Sequence, residues 1–221
     1  MEVAIAGGHG KIGRLLGRLL VEREHAVLGL IRDPGQEDDL HAIGVEPVIC
    51  DLEGDDDVGE AVKGVDAVVF AAGAGPGSGA ERKRSMDLEG ALKLIDAAKA
   101  EGIRRYVMVS AMGAADPPAE GGEVYGEYLR AKAEADRALA ASGLAYTIVR
   151  PGRLTDEAPT GRVRIGERLE RGEIPRADVA AVLAAVLGAD NTIGMTFDVV
   201  SGEEPVLEAV VELGGGFSTT S

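Results

Sequence analysis

The segment from Val124 to Lys132 reads VYGEYLRAK. It sets Tyr128 four residues before Lys132, and on a helix such a pair shares one face. A phenol with its ordinary pKa of ~10 exchanges protons poorly at neutral pH. A neighbouring ammonium favours the phenolate and lowers that value. A tyrosine so placed can give a proton to a carbonyl oxygen as hydride reaches the carbon, or take one in reverse. Tyr125 is the competing candidate. It stands about two turns, or ~10 Å of rise, from Lys132. It also precedes Gly126, which predicts a place in the loop before the helix, over the substrate. Tyr128 is the expected acid/base.

A second constellation lies near the N-terminus, in VAIAGGHGKIGRLLGRLL. Gly7, Gly10 and Gly13 form G-x-x-G-x-x-G between a β-rich run and an amphipathic helical one. The first glycine permits a tight turn, the second lets backbone approach a pyrophosphate, and the third lets helix pack on strand. The helix N-terminus then offers N–H groups to phosphate. Gly7, His9, Gly10, Lys11, Ile12 and Gly13 are the expected cradle, His9 through its backbone. The second β-rich run ends in HAVLGLIRDPG. An acid at that place would suit the ribose hydroxyl of NAD, whereas a guanidinium accommodates the 2′-phosphate of NADP. Arg32 takes the first position after the run, with Asp33 beside it. The expected cofactor is NADP, with NAD the alternative.

These residues need elements to hold them. Short β-rich runs cover Val3–Ala6, Ala26–Ile31, Pro47–Cys50, Ala67–Phe70, Tyr106–Val109 and Ala145–Val149. Helical periodicity fills Lys11–Arg23, Asp87–Ala100 and Tyr128–Ser142. Such alternation predicts βαβ units and a parallel sheet covered on both faces. Past Pro151 the pattern loosens. Residues 152–175 read as a polar, turn-rich segment on the substrate side, with a short strand at Val163–Ile165. A helix follows at Arg176–Leu187, with Pro175 and Asp178 suited to its first turn. A strand at Met195–Val200 and a helix at Pro205–Leu213 come next, and the terminal GGGFSTTS reads as a frayed tail. The expected fold is α/β: a single doubly wound Rossmann domain over residues 1–221 with a mostly parallel sheet.

Composition narrows the partners. The 221 residues carry a formal charge of −15, which opposes broad nucleic-acid or anionic-membrane binding. A small anionic ligand needs only a few local cations and backbone N–H groups, so the expected partner is a small-molecule substrate. One cysteine, Cys50, cannot form an intrachain disulfide. MEVAIAGGHG shows no basic n-region or long apolar core, and no apolar run reaches the ~18–20 residues of a membrane span. The expected location is the cytoplasm. His9, His25 and His41 fall in different elements without ligand spacing, so no metal is expected. The acidic DLEGDDD at 51–57 reads as a solvated loop and helix start.

With these residues assembled, the chain resembles the short-chain dehydrogenase/reductase superfamily, in its atypical NAD(P)H-binding branch of flavin/biliverdin reductase-like and NmrA-like proteins. The resemblance runs through GGHGKIG, the CDL at 50–52, VVFAAGAG at 68–75, DLEGALKLIDAAKAEGIRRYVMVSA at 87–111, YLRAK, YTIVRPG at 146–152 and IPRADVAAVL at 174–183. It implies that Asp51 and Leu52 flank the adenine. It implies that Ala71, Ala72 and Gly73 line the middle of the cofactor. Ser110, Tyr128 and Lys132 would be the catalytic set, with Lys132 also bonding the nicotinamide ribose, and Pro151 and Gly152 would lie near the nicotinamide. Asp87 stands where many relatives carry asparagine, and members of this branch often lack a complete catalytic set. The implied activity is NADP-dependent reduction of a small carbonyl or similar acceptor. The alternatives are a redox-sensing NADP-binding regulator without turnover and a sugar-nucleotide epimerase or dehydratase. Residues 152–175 are short for the substrate region that such epimerases need.

Overall fold

The computed structural model describes residues 1–75, 77–118 and 123–213. The terminal GGGFSTTS lies outside them. The chain runs β1 (Glu2–Ala6), α1 (Lys11–Glu22), β2 (Ala26–Ile31), α2 (Glu37–His41), β3 (Glu46–Ile49), α3 (Val58–Ala61), β4 (Ala67–Phe70) and α4 (Ala80–Arg84). A π-helical turn, Ser85–Gly90, leads into α5 (Ala91–Ala100), then β5 (Arg105–Val109), α6 (Glu123–Ala140) and β6 (Ala145–Pro151). Then come β7 (Arg153–Thr155), β8 (Arg162–Gly166), β9 (Glu173–Pro175), α7 (Arg176–Leu187), β10 (Met195–Ser201), β11 (Glu204–Pro205) and α8 (Val206–Glu212).

Nine strands form one sheet in the order β11-β8-β10-β6-β5-β4-β1-β2-β3. From β3 to β10 neighbouring strands are parallel; β8 pairs antiparallel with β10 and β11. β7 and β9 form a separate parallel pair. The order reverses between β1 and β4, and in such folds the crevice at this switch point, at the carboxyl ends of the strands, takes the ligand.

Side-chain alternation explains why helices cover both faces. Val3, Ile5, Ala67, Val69, Val107 and Val109 point into one core with α1, α7 and α8. Ala4, Ala6, Val68, Phe70, Tyr106 and Met108 point into the other with α3, α5 and α6. Successive strand residues face opposite ways, so strands apolar on both faces demand two helical layers. On α1 the buried stripe is Ile12, Leu16 and Leu20, a spacing of four. Full burial of one leucine stabilises by about 1.5–3 kcal/mol.

Two expectations change. The helical periodicity from Asp87 continues a pattern that the backbone opens into the π-helical turn. The long helix expected from Tyr128 already starts at Glu123, so Tyr125 and Gly126 lie within α6 and not in a loop. A glycine inside a helix costs only about 1 kcal/mol, which tertiary packing overrides, and Gly126 is buried.

Candidate functional site

The loop after β1 is made by backbone meeting backbone. Gly7 has φ +82°, and a Cβ there would lie 2.7 Å from Ala72 Cα. A Cβ on Gly13 would lie 2.3 Å from the carbonyl oxygen of Gly7. At Gly10 a Cβ would lie 3.1 Å from that same oxygen and, among the described residues, within 4 Å of no other non-adjacent residue outside its own helix, so the outer face of the loop is open there. Gly10 caps α1 without a side-chain hydrogen bond. Among the described residues no side chain caps the first N–H groups of α1, as an anion site at a helix N-terminus requires. A dinucleotide fits this cradle. The His9 ring pairs with Asp39, Nε2 to Oδ2 2.7 Å, which holds that carboxyl below its usual pKa.

Gly7, His9, Gly10, Arg32, Asp51, Leu52, Ala71, Ala72 and Gly73 line one cavity of about 290 Å³. A larger adjoining cavity, about 830 Å³, shares Ala71, Ala72 and Gly73 and adds Lys11, Ile12, Asp87, Ser110, Tyr128 and Lys132. Gly13 lines neither; it serves the packing of α1 on the loop. At the outer end, Asp33 accepts from the backbone N–H of Gly35 at 2.9 Å, so its carboxylate belongs to its own turn. Arg32 donates to Glu53 Oε2 at 3.3 Å. Arg82, on α4, reaches the same oxygen from Nε and Nη2 at 3.3 and 3.2 Å, and Ser85 donates to Oε1 at 2.6 Å. Burial alone would raise the Glu53 pKa, but Ser85, Arg82 and Arg32 bring it below the ordinary value. Glu53 thus anchors two guanidinium groups on one cavity. Arg82 escaped the sequence reading because ERKR on its short helix looks like a solvated charge run.

Tyr128, Lys132 and Asp136 follow one another at intervals of four along α6. Lys132, 3% exposed, donates to the carbonyl of Val109 at 3.1 Å and lies 3.2 Å from Asp87 Oδ1. The second contact is an ion pair off the hydrogen-bond line, since Oδ1 has no hydrogen-bond donor; Oδ2 accepts from the N–H of Ala74 at 3.3 Å. The ammonium also sits 6.0 Å from the Tyr128 ring centre. Asp87 therefore offsets the charge that would have favoured a Tyr128 phenolate. Burial, then Asp87, Tyr125 and Asp136, push the Tyr128 phenol above its ordinary pKa. This reverses the expected lowering. Tyr125 is 58% exposed, its ring centre 5.9 Å from that of Tyr128.

Ser110 lies on the same wall, at the end of β5. Its hydroxyl donates to Asp136 Oδ2 at 2.9 Å, and Arg150 Nε donates to that oxygen at 2.9 Å. Burial raises the Asp136 pKa, against the pull of Arg150, Ser110 and Lys132. The expected bond from Ser110 to a substrate oxygen requires its hydroxyl to rotate off Asp136. Asp136 was hidden in AKAEADRALAASG, where acids look solvated; its i+4 spacing from Lys132 was the available signal.

Beyond Tyr128 the crevice opens into a cavity of about 610 Å³, bounded by Ser110, Tyr125, Tyr128, Pro151, Gly152 and the β7/β9 pair. A Cβ on Gly152 would lie 2.3 Å from the carbonyl oxygen of Gly172, so Gly152 lets the two strands cross closely. Lys11 and Arg176 both grip Asp156, at 2.5 and 2.6 Å, tying the start of α1 to this wall.

Among the described residues no group of three or more His, Cys, Asp and Glu could hold a metal ion, and no helix is long and apolar enough to cross a membrane. The Bacillus subtilis (strain 168) protein YhfK, described as an uncharacterized sugar epimerase, is 40% identical over 215 residues, covering 96% of this chain and 100% of its own. A Bacillus halodurans structure, provisionally named an NAD-dependent epimerase/dehydratase, is 40% identical with a TM-score of 0.90, over 96% of this chain and 99% of that one. The oxidoreductase ylbE of Lactococcus lactis is 25% identical with a TM-score of 0.85, over 100% of both chains. Relatives thus carry both epimerase and oxidoreductase names. The glycine cradle and the crevice it opens coincide with a family match that spans residues 7–190, and by that match the chain belongs to the NAD(P)H-binding family.

Proposed function

We propose that the protein is an NADP-dependent oxidoreductase that reduces a small carbonyl or similar acceptor, with Tyr128 as the proton donor. Residues 1–221 act as one NAD(P)-binding unit whose segment 152–175 walls the substrate. Gly7, Gly10, Lys11 and Ile12 would hold the pyrophosphate, Arg32 and Arg82 the 2′-phosphate, and Ala71, Ala72 and Gly73 the middle of the cofactor. When bound, the reduced cofactor supplies the hydride. Lys132 keeps one N–H beyond its two contacts, suited to a ribose hydroxyl.

The observation that carries the direction is the Lys132–Asp87 pair beside Tyr128. A phenol held protonated is suited to giving a proton to a carbonyl oxygen and poorly suited to taking one from an alcohol. An epimerase would first oxidise its sugar, with Tyr128 accepting a proton as phenolate. Burial and Asp87 oppose that charge. The short substrate wall argues the same way. The non-catalytic NADP-sensing reading draws on one observation, the Ser110 hydroxyl engaged with Asp136.

Steady-state NADPH oxidation against a panel of carbonyls and quinones separates the readings. Turnover of at least one acceptor is expected. Tight NADPH binding with no turnover across the panel would favour the sensor, and epimerisation of a nucleotide sugar would favour the relatives' epimerase name.

A further inference from the structure

The wall of the substrate cavity is cationic in a chain that is not. Residues 152–175 hold five arginines and five carboxylates, so the net −15 lies entirely elsewhere. Three guanidinium groups, of Arg153, Arg171 and Arg176, line the cavity beside Ser110 and Tyr128, against the single carboxylate of Glu173. Two of the three are engaged. Arg153 binds Glu173 across the β7/β9 pair, with Nε at 3.0 Å, and Arg176 binds Asp156 at 2.6 Å. Arg171 has no hydrogen-bond or ion-pair partner among the described residues.

Arg171 leads into β9, next to Gly172, whose carbonyl accepts from the N–H of Arg153 at 2.8 Å. The close Gly152–Gly172 crossing holds this backbone against β6. The guanidinium therefore leaves a fixed wall, not a long mobile loop. A planar fork of N–H donors matches a carboxylate or a phosphate and adds charge assistance to each bond. A cavity of about 610 Å³ falls in the range of small-molecule sites, in which a few charged groups fix orientation.

We propose that this cavity takes a substrate bearing a carboxylate or phosphate, and that Arg171 receives that group while Tyr128 faces the reducible end. The proposal rests on the reductase reading and narrows its substrate class.

Three probes share one aryl ketone and differ in the opposite substituent: para-acetylbenzoate, para-acetylphenyl phosphate and the neutral para-acetylbenzamide. Their binding to the NADP-loaded protein is measured by calorimetry and their reduction by NADPH oxidation. At least one anion should bind about tenfold more tightly than the amide, and whichever anion is tighter names the group. Arg171→Gln, an exposed change that should not disturb folding, should cost the anions about tenfold and leave the amide and NADP unchanged. Equal binding of amide and anions overturns the proposal, as does an Arg171→Gln variant that weakens all three equally or none. An amide reduced as well as the anions overturns only the anion class. No binding of any probe, with NADP still bound, overturns the anion proposal and counts against reduction as well.

Discussion

At the cofactor end of the crevice, Gly7, Gly8 and Gly13 bring backbone onto backbone. Any added Cβ there would lie 2.3–2.7 Å from a neighbouring main-chain atom. At the substrate end the wall is made of long charged side chains, Arg153, Arg171, Glu173 and Arg176, on a two-stranded pair. Backbone contacts of that kind admit few sequences. Charged side chains on a short sheet admit many, so the second end is where relatives with one cradle can diverge in chemistry.

The two ends should break differently. Gly10→Val places its side chain where only the Gly7 oxygen is near, so the protein should fold and yet lose dinucleotide binding, by more than about a hundredfold in calorimetry. Gly13→Ala should also lower thermal stability, by about 1–3 kcal/mol, because overpacking strains the loop itself. A folded Gly10→Val protein with unchanged affinity would refute the cradle. Next in size is Arg32→Glu. Charge-assisted hydrogen bonds of about 1.5–3 kcal/mol each predict a ten- to hundredfold loss for NADP, with NAD much less affected. Equal losses for both cofactors would sink the NADP assignment.

Asp87→Asn sharpens the other side of the comparison. Reduction needs protonated Tyr128, so activity falls as pH rises through its pKa. Asp87 helps to raise that pKa. Removing its charge should therefore lower the Tyr128 pKa and bring an alkaline fall of kcat down toward the measurable pH range, while the acid side stays as it was. A Tyr128 phenol that ionises, by ultraviolet titration, at no lower pH in Asp87→Asn than in the wild type would contradict the action of Asp87 on Tyr128. The smallest effect belongs to Tyr125→Phe, exposed at the cavity mouth, which should change apparent KM by no more than about threefold, in the range of a peripheral polar contact.

Much of the scaffold was legible because its period was. β2 and β4 begin and end where the β-rich runs do, and α7 spans Arg176–Leu187 as its apolar face predicts. The start of α6 was not legible, because Gly126 mimics a helix boundary that packing overrides. Nor was the π-helical turn, whose residues keep a helical apolar spacing while their backbone differs. In the candidate site, the close backbone packing at the glycines after β1 and the placing of Tyr128 and Lys132 on one face of α6 could be read from glycine spacing and i+4 geometry. The sign of the effect on Tyr128 could not. It depends on Asp87, forty-one positions before Tyr128, reaching Lys132 at 3.2 Å. Arg82 and Asp136 were hidden for a related reason: a polar residue on a helix looks the same in sequence whether it faces water or a buried partner.

The central claim is that Tyr128 hands a proton to the acceptor in a crevice that binds NADPH independently of it. Single-turnover hydride transfer from bound NADPH to a reducible carbonyl, measured for the wild type and Tyr128→Phe, tests it most directly. The account predicts a loss of about a hundred- to ten-thousandfold in the mutant, the usual weight of a general acid, with NADPH affinity unchanged. Hydride transfer in Tyr128→Phe at the wild-type rate would contradict it.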